Sequence, residues 1–273
     1  MKCKGTWKEK TPSGRTVKRK CNNELSEYAI FCDKCGTPTN ALSTKLNAKK
    51  NWQEVRETFT NLRGSFYKFN IFFLITVFIP IGAVIFFQKD LAQFIGIDKY
   101  LFLNLALLLL VPLSLIPFAF DEENYSQNFS VKNYFRKMKY YPKFFLFTLE
   151  NIIFFFILKV LCTGYLIGVT VDPILAPVRV ILVLHWITIM FPAPLVIIRK
   201  NVNPLAALKV CYTASAETRW QQFFTLFYVA TANILGLLAV GLGLLRSISF
   251  SYLLIENYYN KMNEYRLFEK REN

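Results

Sequence analysis

The chain of 273 residues has a single histidine, His185, and no cysteine or carboxylate stands near it in sequence. A catalytic dyad or a histidine-based metal site has nothing to be assembled from there, and a packing role is expected for it. No nucleophile elbow, phosphate-binding glycine loop, HExxH run or paired-carboxylate motif occurs anywhere. Those absences remove the common sequence signatures of hydrolases, nucleotide-dependent enzymes and zinc proteases, so an enzyme is the weakest of the functional readings. Acidic residues are also scarce, 18 against 33 Lys and Arg, which leaves a net charge of +15. The first 69 residues contain no apolar stretch of signal-peptide length, so no cleavable signal is expected.

What is abundant is grease, and it is unevenly spread. Apolar residues make up 53% of the chain, phenylalanine alone accounts for 27 positions, and the mean hydropathy is +0.30. Residues 1–69 are polar and basic, whereas "NIFFLITVFIPIGAVIFF" (70–87) and "YLFLNLALLLLVPLSLIPFAF" (100–120) are long enough to cross a hydrocarbon core of about 30 Å as helix. The expected fold is an all-α polytopic membrane bundle behind a small N-terminal β unit. Six spans are read, over 70–87, 100–120, 144–170, 175–198, 220–241 and 243–259. The last two form one apolar stretch too long for a single crossing. Gly236, Gly241 and Gly243 mark the turn that sends the chain back, because glycine takes positive φ without steric cost. The domains are then 1–40, a linker helix over 41–69, the membrane domain 70–259 and a charged tail 260–273.

Charge sets the expected orientation. With the N-terminus in the cytosol, segments 1–69, 121–143, 199–219 and 260–273 hold every Lys and Arg except Lys89, Lys99, Lys159, Arg179 and Arg246. An even number of spans with both ends inside a cytoplasmic (inner) membrane fits that asymmetry. The basic excess then serves topology and attraction to an anionic leaflet, at about 1 kcal/mol for each nearby Lys or Arg. Nucleic-acid binding is not expected, since no recognition helix or RNA-binding signature accompanies the bases. The stretch "NAKKNWQEVRETFTNLRGSFYKF" places Trp52, Val55, Phe59, Leu62 and Phe66 on one helical stripe. That stripe suits either the inner leaflet of the bilayer or packing on the ribbon or the cytosolic loops.

Four of the six cysteines, Cys3, Cys21, Cys32 and Cys35, lie in the head, with Cys162 and Cys211 far downstream. In a reducing cytosol such a group favours one metal site over two disulfides. Cys32 and Cys35 have ordinary CxxC knuckle spacing, but no second CxxC precedes them. Cys3 and Cys21 are separated by "KGTWKEKTPSGRTVKRK", whose middle "TPSGRT" reads as a turn between two short strands. A hairpin returns its ends to one another, so Cys3 can complete a tetrahedral four-thiolate Zn2+ site. Four thiolates leave no open position for water or substrate, so the zinc is expected to be structural. The bland alternative is four reduced surface thiols.

"CNNELSEYAIFCDKCGTP" resembles the bacterial zinc-ribbon pattern in which CxxCG is followed by E-L, A-x-F and a second CxxCG. The resemblance matches Cys21, Cys32 and Cys35 and departs at the first cysteine, where Cys3 stands across an insertion that carries Trp7. It implies a ribbon whose role is to present a surface to a protein partner. Further on, "NPLAALKVCYTASAETRWQQFF…ANILGLLAVGLGLL…ENYY" (203–259) is similar to the multi-pass membrane domain attached to some glycerophosphodiester phosphodiesterases. Asn203, Pro204, Ala207, Leu208, Trp220, Asn233, Gly236, Gly241 and Gly243 match it, while "RSISFS" replaces the proline that often follows the turn. The phosphodiesterase chemistry belongs to a separate domain, so the resemblance implies architecture and no catalytic residue. Asn203 as cap and Pro204 at the first helical position start a surface helix.

Ionisable residues inside apolar runs are the remaining pointers, because charge in hydrocarbon is costly. Glu150 lies near the cytosolic end of the third span as a possible intramembrane polar site. Lys159, Arg179 and Arg246 fall on three spans; converging, they would hold an anionic ligand or a lipid headgroup, and otherwise each reaches the interface or pairs with Asp172. The leading expectation is a membrane-anchored interaction or regulatory protein. A transporter or lipid-handling protein using the buried cations is the alternative.

Overall fold

The structure is a computed structural model that describes residues 2–3, 5–10, 16–24, 32, 34–35, 37, 46–61, 63–96, 98–120, 130–162, 172–216, 218–238, 243–265 and 267–268. The expected hairpin turn over 11–15, Gly241 and the end of the charged tail lie outside the described residues, as do the side chains of Trp7, Asp172 and Cys162.

Two strands open the chain, β1 (Thr6–Lys10) and β2 (Thr16–Lys20), antiparallel with Thr6 opposite Lys20 and Lys10 opposite Thr16. Pairing continues past the strands. Cys21 N donates to Gly5 O at 2.8 Å, Cys3 N donates to Asn23 O at 2.9 Å, and Lys2 bridges Glu24. The hairpin therefore sets Cys3 beside Cys21, as the sequence reading requires.

All remaining elements are helical. α1 (Ala48–Asn61) starts at Asn47, whose Oδ1 accepts from Lys50 N at 3.1 Å. Trp52 and Val55 of its apolar stripe pack on other helices of the bundle, a partner that neither expectation for this helix named. Trp52 sits between Tyr228 and Phe250, at centroid distances of 5.3 and 4.4 Å, and Val55 is buried. α2 (Arg63–Phe73) runs through a π-helical turn (Leu74–Phe78) into α3 (Ile79–Phe86). Ile79 N reaches back to Leu74 O there. Pro80 has no N–H to continue the ordinary ladder, and one wide turn accommodates its ring.

α4 (Gln88–Ile95) ends at Gly96, φ 78°, a left-handed cap that only glycine takes freely. Asp98 caps α5 (Lys99–Leu115), its Oδ1 accepting from Tyr100 N and Leu101 N at 2.9 and 3.1 Å. α6 (Val131–Lys137) passes through a short 3₁₀ turn into α7 (Tyr141–Cys162), and α8 (Asp172–Met190) is followed by α9 (Ala193–Arg199). α10 (Pro204–Ser215) starts as expected, with Asn203 Oδ1 accepting from Ala206 N at 2.9 Å. α11 (Arg219–Leu238) and α12 (Leu244–Glu264) complete the chain.

Among the described residues, five helical stretches are long and apolar enough to cross a membrane: Lys68–Phe86, Lys99–Ala119, Val131–Leu161, Leu175–Arg199 and Arg219–Leu238. In four of them only 17–22% of the apolar window is buried inside the protein. Leu109, Phe156, Ile181 and Leu235 point outward, an arrangement that water would penalise and lipid would not. The chain is a helical membrane protein by this criterion. The expected third span over 144–170 is helical from Val131, earlier than read, and 163–170 lies outside the described residues.

The sixth expected span, 243–259, corresponds to α12 but is not among the five. The reason is its own composition, since Arg246, three serines, Glu256, Asn257, Asn260 and Lys261 lower its hydropathy. α12 is wrapped by α1, α2 and α11, and Ile248, Phe250, Leu254, Tyr258 and Met262 bury most of its circumference. Two of its three serines find partners inside the protein: Ser249 Oγ donates to Asn70 Oδ1 at 2.5 Å, and Ser251 Oγ accepts from Asn233 Nδ2 at 2.8 Å, while Ser247 Oγ is buried without one. A sheathed helix can carry such polar groups because neighbouring helices satisfy them.

Candidate metal centre

The four head cysteines meet. Their sulfur atoms all lie within 4.8 Å of one another, with Cys3 and Cys35 at 3.4 Å and Cys21 and Cys32 at 3.6 Å. A disulfide would hold two sulfurs at about 2.0 Å, so these are free thiols. Cys3, Cys21 and Cys32 are buried and Cys35 is half-buried. The arrangement can hold a metal ion.

Local backbone explains how the group forms. Cys32 N donates to Thr37 O at 2.9 Å, closing the Cys32–Cys35 knuckle, and Gly5 N donates to Cys3 Sγ at 3.3 Å. Gly5 is the point of closest approach between the hairpin and the knuckle. A Cβ there would lie 2.0 Å from Thr37 Oγ1 and 2.9 Å from Cys35 Sγ. Asn23 Nδ2 adds a longer contact of 3.8 Å to Cys32 Sγ.

The thiols do not ionise alike. Burial pushes Cys35 up, but hydrogen bonds from the Thr37 hydroxyl and backbone N–H, with Cys3 and Cys21 beside it, outweigh that and hold it at about 6. The Gly5 N–H draws Cys3 down, yet burial and the neighbouring Cys35, Cys32 and Cys21 thiols push it up to about 12. Cys21 follows the same logic, with Asn23 N–H lowering and burial, Cys35 and Cys32 raising it to a net increase. One thiolate forms readily and the rest resist adding like charge, which is the electrostatic condition that a bound cation relieves.

The other expected site residues lie on three helices, α7, α8 and α12. Lys159 on α7 and Arg246 on α12 are exposed, and Arg179 on α8 is half-buried. Glu150 is half-buried on α7, and its Oε2 is a buried oxygen without a hydrogen-bond partner. Its neighbour Asn151 accepts from Trp186 Nε1 at 2.8 Å, and Phe154 stacks on Trp186 at 3.8 Å, joining α7 to α8. His185 is exposed on α8 rather than packed in the core, an outward position among lipid-facing Ile181, Leu182 and Leu184 that corrects the packing role expected for it.

Sequence reasoning missed a polar junction between α1 and α12. Asn51, fully buried, donates to Leu254 O at 3.2 Å and accepts from Asn257 Nδ2 at 2.8 Å. Glu54 pairs with Lys261, and Arg199 pairs with the buried Glu256 at 2.6 Å. A cavity of about 130 Å³ lined by Glu54, Thr58, Glu256, Asn257 and Asn260 lies at this junction. The sequence signal is polar residues at helical spacing in "IENYYNKMNE", and their partners stand far off, Arg199 57 positions from Glu256 and Asn51 206 from Asn257.

Comparison with protein-family models, with curated proteins and with solved structures finds no match to this chain.

Proposed function

We propose that this chain is a six-span protein of the cytoplasmic (inner) membrane, both termini cytosolic, whose head is a structural zinc ribbon that recruits a protein partner to the membrane surface. The observation that carries the reading is the set of four sulfur atoms within 4.8 Å, assembled by a basic hairpin ahead of five bilayer-length apolar helices. With metal–sulfur bonds of about 2.3 Å, a tetrahedral zinc site has sulfur–sulfur edges of about 3.8 Å. The separations of 3.4 and 3.6 Å are close to that edge. Bound zinc would supply the folding free energy that so small a unit cannot draw from a core. Cys3, Cys21, Cys32 and Cys35 close the coordination shell, which suits a scaffold and leaves no place for substrate.

α12 supports the sixth crossing. At 21 residues it spans about 31 Å, enough for a bilayer. It packs along α11, with Gly236 against Gly243 where the two helices meet. The resemblances of 21–38 to zinc ribbons and of 203–259 to a multi-pass membrane domain support the same two-part architecture.

Metal analysis of full-length protein purified from membranes tests this reading. About one zinc per chain is expected, falling to near zero with Cys32→Ser/Cys35→Ser, while the variant stays in the membrane. Cross-linking in cells should then lose a partner that the wild type holds. Unchanged metal content would sink the ribbon, and an unchanged cross-link without metal would sink the recruiting role.

A further inference from the structure

A second cavity joins two surfaces of opposite character. Asn47 and Lys49 at the start of α1 face Trp220, Gln221 and Phe224 at the start of α11 across a groove of about 290 Å³. The α1 wall is polar and basic: Asn47, Lys49 and the adjoining Lys50 are all exposed. The α11 wall is aromatic, with Trp220 72% and Phe224 51% exposed.

The α11 wall does not stop at the groove. Phe227, Ile234 and Leu238 continue the same outward stripe at helical steps of three, seven and four residues, all of them exposed. α11 is also one of the five stretches apolar enough to cross a bilayer, and Arg219 and Trp220 begin it. Tryptophan at the first turn of a span is where an amphipathic ring meets headgroups. The groove thus lies where a bilayer changes from charged heads to acyl chains, with lysine on the head side and aromatic rings on the chain side.

Resting on the membrane reading above, we propose that this groove is a binding site for a phospholipid of net negative headgroup. The phosphate sits against Lys49, and one acyl chain lies along Trp220, Phe224 and Phe227. A soluble anion would satisfy Lys49 but leave the two exposed rings bare. A zwitterionic lipid would satisfy the rings but bring its own ammonium toward Lys49 and Lys50. Net negative charge on an acylated molecule meets both walls.

The test uses full-length protein in phosphatidylcholine vesicles that contain a minority of phosphatidylglycerol. Bromine is placed on the acyl chains of one lipid or the other at equal mole fraction. Subtracting the emission of Trp220→Phe from that of wild type isolates Trp220 from Trp7, Trp52 and Trp186. Brominated phosphatidylglycerol should quench Trp220 as though enriched about fivefold, the factor that one cationic side chain supplies at an anionic surface. Lys49→Glu should abolish the preference, Lys49→Arg should keep it, and Lys132→Glu, an exposed lysine on α6, should leave it unchanged. Equal quenching by the two lipids overturns the site, as does an equal loss in Lys132→Glu, which would assign the preference to the general surface field. Quenching by neither lipid overturns both the site and the placement of α11 in a bilayer.

Discussion

Asn51 and Leu254 are 203 positions apart, yet the Asn51 side chain donates to the Leu254 carbonyl at 3.2 Å and is fully buried. That contact ties α1, the first described helix after the four-cysteine head, to α12, the last described one. Its other atom, Oδ1, accepts from Asn257. Asn51→Leu keeps the approximate volume and removes the nearer acceptor of Asn257 Nδ2, leaving it only the longer bond to Glu54 Oε2 at 3.4 Å. It should cost about 1–3 kcal/mol, read as a lower unfolding midpoint in detergent. Asn51→Leu with Asn257→Leu should recover part of the loss, and full additivity of the two would contradict the coupling.

Glu54 links the same two helices by its pair with Lys261. Burial pushes the Glu54 carboxyl up, but the Lys261 hydrogen bond and charge, with Asn257 assisting, outweigh it and hold the group below the ordinary carboxylate range. A lowered folded value means that the stabilisation is present above the unfolded pKa of about 4.3 and fades as pH falls through the folded value. With 40% of its side chain exposed, solvent screening limits the gain to about 1 kcal/mol or less. Glu54→Gln should therefore lower stability at neutral pH by that amount, and the two unfolding curves should converge below about pH 4. A gap that persists or widens in acid would refute the assignment.

Gly236 and Gly243 bring α11 and α12 together at the hairpin end. A Cβ on Gly243 would stand 2.6 Å from Gly236 Cα and 2.7 Å from its carbonyl oxygen, and neither backbone atom can yield as a flexible side chain would. Gly243→Val should separate the helices and destabilise by about 2 kcal/mol or more. Gly82→Ala, where nothing lies within 4 Å, is the control and should be neutral.

Gly5 plays the corresponding part in the head. Since an added methyl would fall 2.0 Å from Thr37 Oγ1, Gly5→Ala should weaken metal retention by tenfold or more, on the order that loss of supporting contacts costs a metal site. Competition with a chelating dye gives the readout. Gly5→Ala combined with Thr37→Gly should restore part of the retention, because the nearest clash is removed while Cys35 Sγ stays 2.9 Å from the added methyl. Failure of Gly5→Ala to loosen the metal would show that the hairpin and knuckle do not need this approach.

Much of the architecture was legible because local rules carry it. Asn203 with Pro204 predicts the start of α10, where Asn203 does accept from Ala206 N. The long apolar runs predict their helices by length alone. The hairpin between Cys3 and Cys21 follows from turn residues between two short strands, and its pairing is as read. The span read over 243–259 is helical as α12, but its polar residues lower the hydropathy that marks a span, and Ser249 and Ser251 find partners at Asn70 and Asn233 on other helices.

Hydropathy, charge distribution and cysteine spacing determined a helical membrane protein with a four-thiol head, since each depends on composition and short-range chain geometry. The fate of the amphipathic stripe on α1 was left open by sequence, because its apolar residues suit lipid and protein alike. Tertiary structure decided that. Trp52 lies between Tyr228 and Phe250, and Asn51 reaches Leu254 and Asn257. Directional hydrogen bonds and close packing between distant segments distinguish those alternatives, and neither is encoded in the periodicity of one helix.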